Sequence, residues 1–261
     1  MNDPVNAAES FRVVIPARFA SSRFPGKALA LIDGRPMIEH VYLLARASGA
    51  LQVLIATDDR RVADVAKSFG ADVIMTRADH ESGTDRIAEA AALQGWAADD
   101  VVVNLQGDAP CMPASSITAV ARLLRAHPSA EVSTLCTAID DDEDYLDPNV
   151  VKVVADQAGR ALYFSRSPIP AAGHGRAGER PQAWRHLGIY AYRVAALRRL
   201  TAEPPCYLET CERLEQLRAL WLGMEIRVGI ARDTHGPDVD TPEDLARAQA
   251  HIARRAHSDG R

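Results

Sequence analysis

Up to Asn104 the chain alternates short β-branched runs with longer amphipathic stretches, a rhythm that few folds can accommodate. Residues 12–15 (RVVI), 53–56, 72–75 and 100–104 (DVVVN) read as strands, and the first and last are apolar enough to be fully buried. Between them, residues 36–48 place Met37, Val41, Leu44 and Ala45 at helical spacing and stop at Gly49. Residues 60–69 form a second helical run closed by Gly70, and 84–94 a third. Strand and helix alternating at this rate predict βαβ units: an α/β fold with a mostly parallel sheet covered by helices on both faces.

The second half keeps the strands but loses most of the helices. Residues 132–139, 150–155, 161–164 and 187–192 read as strands, which predicts a smaller mixed or antiparallel lobe over about 132–225. Residues 208–221 read as one strong helix, 226–231 as a strand and 241–254 as a closing helix. That last helix opens on TPED: Thr241 can cap it, Pro242 suits its first position, and Asp244 stands three residues on. With no internal repeat and no convincing linker, residues 1–261 are expected to form one domain, with disorder-prone tails at 1–10 and 255–261 and an irregular surface loop at about 171–182.

Composition excludes several classes. Hydrophobic residues at 47% allow a sizeable core without disulfides or a structural metal. A net charge of −5 with scattered basic residues gives no footprint for nucleic acid. No apolar run reaches a membrane span and the N-terminus carries no signal-peptide pattern, so no membrane insertion is expected. Four cysteines without paired CxxC spacing read as free thiols of a cytoplasmic protein.

Three loops carry candidate chemistry. Residues 16–27 (PARFASSRFPGK) follow the first strand, where ligands bind in open α/β sheets. They bring Arg18, Arg23 and Lys27 together with Ser21 and Ser22, the mixture of fixed charge and small donors that a triphosphate needs. This loop carries neither GxxxxGK[ST] nor GxGxxG, which counts against an ATPase and a dehydrogenase. Asp108 lies just past the DVVVN strand, and Asp238 and Asp240 precede the last helix; two such carboxylates plus substrate phosphates can hold magnesium. For either aspartate alone, a turn or capping role competes. Residues 76–86 (TRADHESGTDR) again follow a strand, and there Gly83 followed by Thr84 could let the backbone approach a base edge, or Ser82 or Thr84 could cap the next helix. In RHLGIYAYR (185–193), His186, Gly188, Tyr190 and Tyr192 share one strand face, which suits sugar hydroxyls as well as plain solvent exposure. Glu212, Glu215 and Gln216 share a helix face at i, i+3 and i+4.

Taken together, VVIPARFASSRFPGK, GRPMIEHV, TRADHESGTDRIAE, VVVNLQGDAP, NVVKVV, ALYFSRSPIP, RHLGIYAYR, LEQLRALW and VDTPEDL resemble the 3-deoxy-manno-octulosonate (Kdo) cytidylyltransferases, in that family's order from about Val13 to Ala246. The resemblance implies a nucleotide-diphospho-sugar-transferase fold, a homodimer, and magnesium-dependent conversion of CTP and an acidic keto-sugar to CMP-Kdo and pyrophosphate. It implies that Arg18 and Lys27 bind phosphate, with Ser21 and Ser22 beside them, and that Arg77, Ser82 and Gln106 contact the nucleoside. Asp108 and Asp240 would hold magnesium, with Arg18, Lys27 and Asp108 as the catalytic set. Arg166, His186, Tyr190, Glu215 and Gln216 would line the sugar-acid pocket. The chain departs from the family's QGDEP at Ala109, in the segment after SRSPIP, and before the LEQL helix. The alternatives are the same chemistry on 8-amino-Kdo or a nonulosonate, and a nucleotide-sugar-binding relative without catalysis.

Overall fold

The computed structural model describes residues 10–20, 23–173 and 181–259. Strands β1 (Arg12–Ala17), β4 (Gln52–Thr57), β5 (Asp72–Met75) and β6 (Val101–Asn104) run parallel in the order β6-β1-β4-β5. The short hairpin of β2 (Leu31–Ile32) and β3 (Arg35–Pro36) stands apart from this sheet. Helices α1 (Met37–Ala47), α2 (Arg60–Ser68) and α3 (Gly83–Leu93) make the crossovers. The period of two along each strand sorts side chains between two cores. Val13, Ile15, Val53, Ile55, Val101 and Val103 pack with α1, α2 and α4 (Ala114–Ala126). Val14, Leu54, Ala56 and Val102 face α3 and α6 (Val194–Ala202). The result is the expected helix–sheet–helix sandwich.

Helices α4 and α6 are not anticipated from the sequence, although Ile117, Val120, Ala121 and Leu124 of α4 have clear helical spacing and are buried. The sheet continues past β6 through antiparallel β10 (Ala183–Arg193), then β7 (Val132–Ile139) and β11 (Ile226–Ile230). Thus β7 and β10 extend the main sheet; among the described residues of 132–225, the antiparallel hairpin of β8 (Lys152–Ala155) and β9 (Ala161–Ser165) lies off its path, joined to β10 at Arg185↔Lys152. A short α5 (Asp142–Leu146) follows β7.

The single helix expected at 208–221 is two. Arg213 takes a left-handed conformation (φ 53°) between α7 (Tyr207–Glu212) and α8 (Gln216–Trp221). Arg218 of α8 grips Glu209 of α7 through both Nε (2.7 Å) and Nη2 (2.6 Å) and bonds the carbonyl of Leu200 (3.2 Å), which braces the corner. Glu212 and Glu215 therefore do not share a helix face: Glu212 accepts from Ser165 Oγ and Arg166 N, whereas Glu215 turns towards α3.

Helix α9 (Pro242–Asp259) begins as its TPED signal predicts, with Thr241 Oγ1 accepting from Asp244 N and Asp244 Oδ2 accepting from Thr241 N. It continues through Asp259, so the tail expected to loosen from residue 255 is helical up to that point. Residues 1–9, 174–180 and 260–261 lie outside the described residues.

Candidate active site

Because β1, β4, β5 and β6 are parallel, their carboxyl ends open on one edge of the sheet. There the loop after β1 turns at Gly26, whose positive φ (73°) suits glycine and whose N–H donates to Phe19 O at 2.8 Å. Lys27 follows and folds back under the loop. Its ammonium donates to Asp108 Oδ2 at 2.6 Å, to Asp240 Oδ1 at 3.0 Å and to the carbonyl of Val239 at 3.0 Å. Arg23 reaches the other oxygen of Asp240 at 2.9 Å. Burial alone would lower the Lys27 pKa, but the two carboxylates outweigh it and hold the ammonium above its usual range.

The backbone fixes both aspartates. A Cβ on Gly107 would stand 2.8 Å from the carbonyl oxygen of Pro16, so the turn carrying Asp108 lies directly on β1. Val239 N donates to Asp108 O at 2.8 Å, and Asp240 N to the α9 capping residue Asp244 at 3.1 Å. Lys27, Asp108 and Asp240 line a cavity of about 390 Å³ with Arg18, Arg23, Gln106 and Gly107. Arg18 Nη2 is buried with no hydrogen-bond partner among the described residues, a cationic donor left for a ligand. Ser21 and Ser22 lie outside the described residues.

A second cavity of about 250 Å³ shares Gln106 with the first and is lined by Thr84, Asn104, His186, Tyr190, Tyr192, Arg213, Glu215 and Gln216. Glu215 closes one side by accepting from Ser82 Oγ at 3.0 Å and Thr84 Oγ1 at 2.8 Å. Burial raises the pKa of its carboxyl against the pull of those hydroxyls. Ser82 also caps α3 in a reciprocal box with Asp85, so it does the capping work and tethers Glu215 at once. The rings of His186 and Tyr190 meet at 5.2 Å, tilted by 47°, on the strand face expected for them. Asn104 Oδ1 is buried without a partner among the described residues.

A family model described as cytidylyltransferase matches residues 12–226. The 3-deoxy-manno-octulosonate cytidylyltransferase of Thioalkalivibrio sulfidiphilus is 52% identical over 244 residues, spanning 92% of this chain and 98% of that protein. That of Pseudomonas syringae pv. syringae is 51% identical over 246 residues, spanning 92% and 97%. This chain belongs to the 3-deoxy-manno-octulosonate cytidylyltransferase family. It is accordingly an enzyme of the nucleotidyltransferase class. A solved CMP:2-keto-3-deoxy-manno-octonic acid synthetase complexed with CTP is 43% identical and superposes with a TM-score of 0.87 over 94% of this chain and 100% of that one. A cytidylyltransferase structure from Leptospira borgpetersenii, 15% identical with a TM-score of 0.61 over 94% of this chain and 87% of that one, shares the fold.

With the family in place, the carried-over residues among those described can be located. Arg18, Lys27, Gln106, Asp108 and Asp240 gather at the first cavity; His186, Tyr190, Glu215, Gln216 and again Gln106 gather at the second, with Ser82 bonded to its wall. Two residues depart from expectation. Arg77 is exposed and paired with Asp79 at 2.9 Å, lining a separate groove beside α3 and α6. Arg166 spends its guanidinium on the carbonyls of Glu212 (2.8 Å) and Pro148 (2.9 Å) and lines neither of the two cavities. Ala109, where the resemblance expects glutamate, is 2% exposed, packs in the apolar core and is not among the residues that line the first cavity.

The chief residue that sequence reasoning missed is Asn104. Its signal is legible in hindsight: a polar residue ending a wholly apolar parallel strand stands where such sheets bind ligands. Arg213 joins it. The position of Arg213 depends on the break between α7 and α8, which the sequence pattern hides.

Among the described residues no helix is long and apolar enough to cross a membrane, and no group of three or more His, Cys, Asp or Glu could hold a metal ion. Magnesium, however, commonly takes only one or two protein carboxylates and completes its shell with phosphates and water. Asp108 and Asp240 fit that demand: both are oxygen donors, both touch one ammonium, and both are partly open to the cavity.

Proposed function

We propose that this enzyme transfers CMP from CTP to 3-deoxy-manno-octulosonate, giving CMP-Kdo and pyrophosphate. The observation that carries the reading is the junction at Gln106, where a cation- and carboxylate-lined cavity meets one walled by hydroxyl, imidazole, amide and carboxylate groups. The names of the relatives supply the sugar, and the neighbour solved with CTP supports the nucleotide.

In this reading the anomeric hydroxyl of the sugar attacks the α-phosphorus. A new P–O bond forms, the bond from the α-phosphorus to the bridging oxygen breaks, and its electron pair leaves on pyrophosphate while the hydroxyl proton passes to solvent. Alignment and charge neutralisation carry such a displacement, and no covalent nucleophile is needed. Arg18, with an unspent donor, and Lys27 lie where charge on the departing pyrophosphate would be met. Asp108 and Asp240 would hold magnesium, which when bound supplies Lewis-acid stabilisation of phosphate oxygens. Lys27 keeps the two carboxylates together and limits their repulsion. We further propose a cytoplasmic enzyme acting as a homodimer, with a second copy covering the exposed Leu162 of β9 and Trp221 of α8.

The test is pyrophosphate release from CTP and magnesium with Kdo, its 8-amino analogue and a sialic acid in parallel. Kdo-dependent release is expected. Release with another acid alone would replace the substrate, and CTP binding without release for any sugar would identify a non-catalytic relative.

A further inference from the structure

The antiparallel pairing of β10 with β7 carries an interruption beside the second cavity. Leu187 pairs with Leu135 and Tyr190 with Thr134, so Gly188 and Ile189 bulge out with no residue opposite. Thr134, fully buried, supplies the bulge: its hydroxyl lies 2.7 Å from the carbonyl oxygen of Ile189 and 3.2 Å from that of Leu187. Carbonyls only accept, and the hydroxyl has a single proton, so that proton is committed to the bulge. The third neighbour of Thr134 Oγ1 is Nε2 of His186, at 2.9 Å. With its own proton spent, Oγ1 accepts there and Nε2 is the protonated nitrogen. Burial pushes the His186 pKa down to about 3, and the ring is flanked by Phe164 and Tyr190 at 5.0 and 5.2 Å. The ring is therefore neutral near pH 7, and Nδ1 keeps its lone pair.

We propose that Thr134 is a positioning residue that fixes His186 as the Nε2–H tautomer, so that His186 offers Nδ1 to the second cavity as a hydrogen-bond acceptor. The same lining carries the unpartnered Oδ1 of Asn104 and the carboxylate of Glu215, both acceptors. Together they select a ligand that brings hydroxyl donors to this wall and turns its carboxylate elsewhere. The selectivity rests on the sugar-acid reading of the cavity; the tautomer does not.

Two readouts separate these layers. Long-range ¹H–¹⁵N correlation spectra of the ¹⁵N-histidine-labelled enzyme, assigned by the signals lost in His186→Phe, report the tautomer without any substrate. The wild type and Thr134→Ser should show Nε2–H, and Thr134→Val should shift the population towards Nδ1–H. In kinetics, Thr134→Val should raise KM for the sugar acid about tenfold, the weight of one hydrogen bond. KM for CTP should stay within about twofold, and Thr134→Ser should restore the sugar KM. An Nδ1–H signal in the wild type overturns the proposal, and that spectrum decides even if Thr134→Val does not fold. A folded Thr134→Val with an altered tautomer and an unchanged sugar KM overturns the positioning role. An Nε2–H signal in an enzyme that turns over no acidic sugar refutes the substrate reading and the selectivity with it, while the tautomer assignment stands.

Discussion

Replacing Gly107 by alanine places a methyl group 2.8 Å from the carbonyl oxygen of Pro16, with Ile38 Cδ1 at 3.5 Å and Ala17 Cα at 3.8 Å behind it. The nearest atom is backbone of β1, a strand paired on both sides with β4 and β6, so it cannot swing aside as a side-chain tip would. The turn at 106–108 must move instead. Overpacking of this kind costs about 1–3 kcal/mol. For a chain of this size each kcal/mol lowers Tm by about 2–4 °C, so a fall of about 2–12 °C is expected. The displaced turn carries Asp108, whose 2.6 Å bond to Lys27 depends on its position. A shift of a few tenths of an ångström should therefore lower turnover well beyond the loss of folded protein at assay temperature; about 100-fold is the scale for an ångström of misplacement. Thermal melts and initial rates of Gly107→Ala should be set beside those of the wild type. Wild-type Tm and rate in Gly107→Ala would refute the claim that this turn is clamped against β1.

Other consequences follow from single contacts. Asp244→Ala removes the reciprocal cap of α9 and the acceptor for Asp240 N, and should cost about 1 kcal/mol in stability and raise the metal requirement of turnover, checked by denaturant melts and a magnesium titration. The folded-state pKa of Lys27 is raised, so its stabilising contribution is full below the ordinary value of 10.5 and is lost as pH climbs through the higher folded value; Lys27→Met should therefore flatten that part of the alkaline limb in melts across pH 9–12. Burial pushes the Cys111 and Cys136 thiols up to about 11 while Cys211 is exposed, so iodoacetamide at pH 8 should label Cys211 quickly and spare the other two, read by peptide mass. Cys111→Ala should leave turnover largely intact.

Much of this was open to reading in the sequence because it is periodic or local. The βαβ rhythm up to Asn104 sets the parallel block and hence the edge where ligands bind. TPED announces the cap of α9, and the alternation in RHLGIYAYR places His186 and Tyr190 on one face. What stayed hidden depends on long-range geometry. The break at Arg213 sits inside an unbroken helical pattern and becomes necessary only because α8 must reach the core beside α6 while Arg218 holds Glu209. The resemblance gives Arg77 a nucleoside contact, and in the structure its exposed guanidinium pairs with the aspartate two residues on. Arg166 is drawn to carbonyls supplied by segments distant in sequence. The loops offer Asp108 and Asp240 as a carboxylate pair, but their meeting is achieved by an α9 that packs Ala248 with Ile32, Met37, Cys111 and Val239 and so delivers the preceding loop to Lys27.

The central claim is that Lys27, Asp108 and Asp240 form the reacting end of a CMP-transfer site. Its most direct test is the initial rate of pyrophosphate release from CTP, magnesium and Kdo for the wild type and Asp108→Asn side by side, with a melt of each. Kdo-dependent release by the wild type is expected, with a rate at least about 100-fold lower in a folded Asp108→Asn. A wild type silent with Kdo, or an Asp108→Asn enzyme as fast as the wild type, would contradict it.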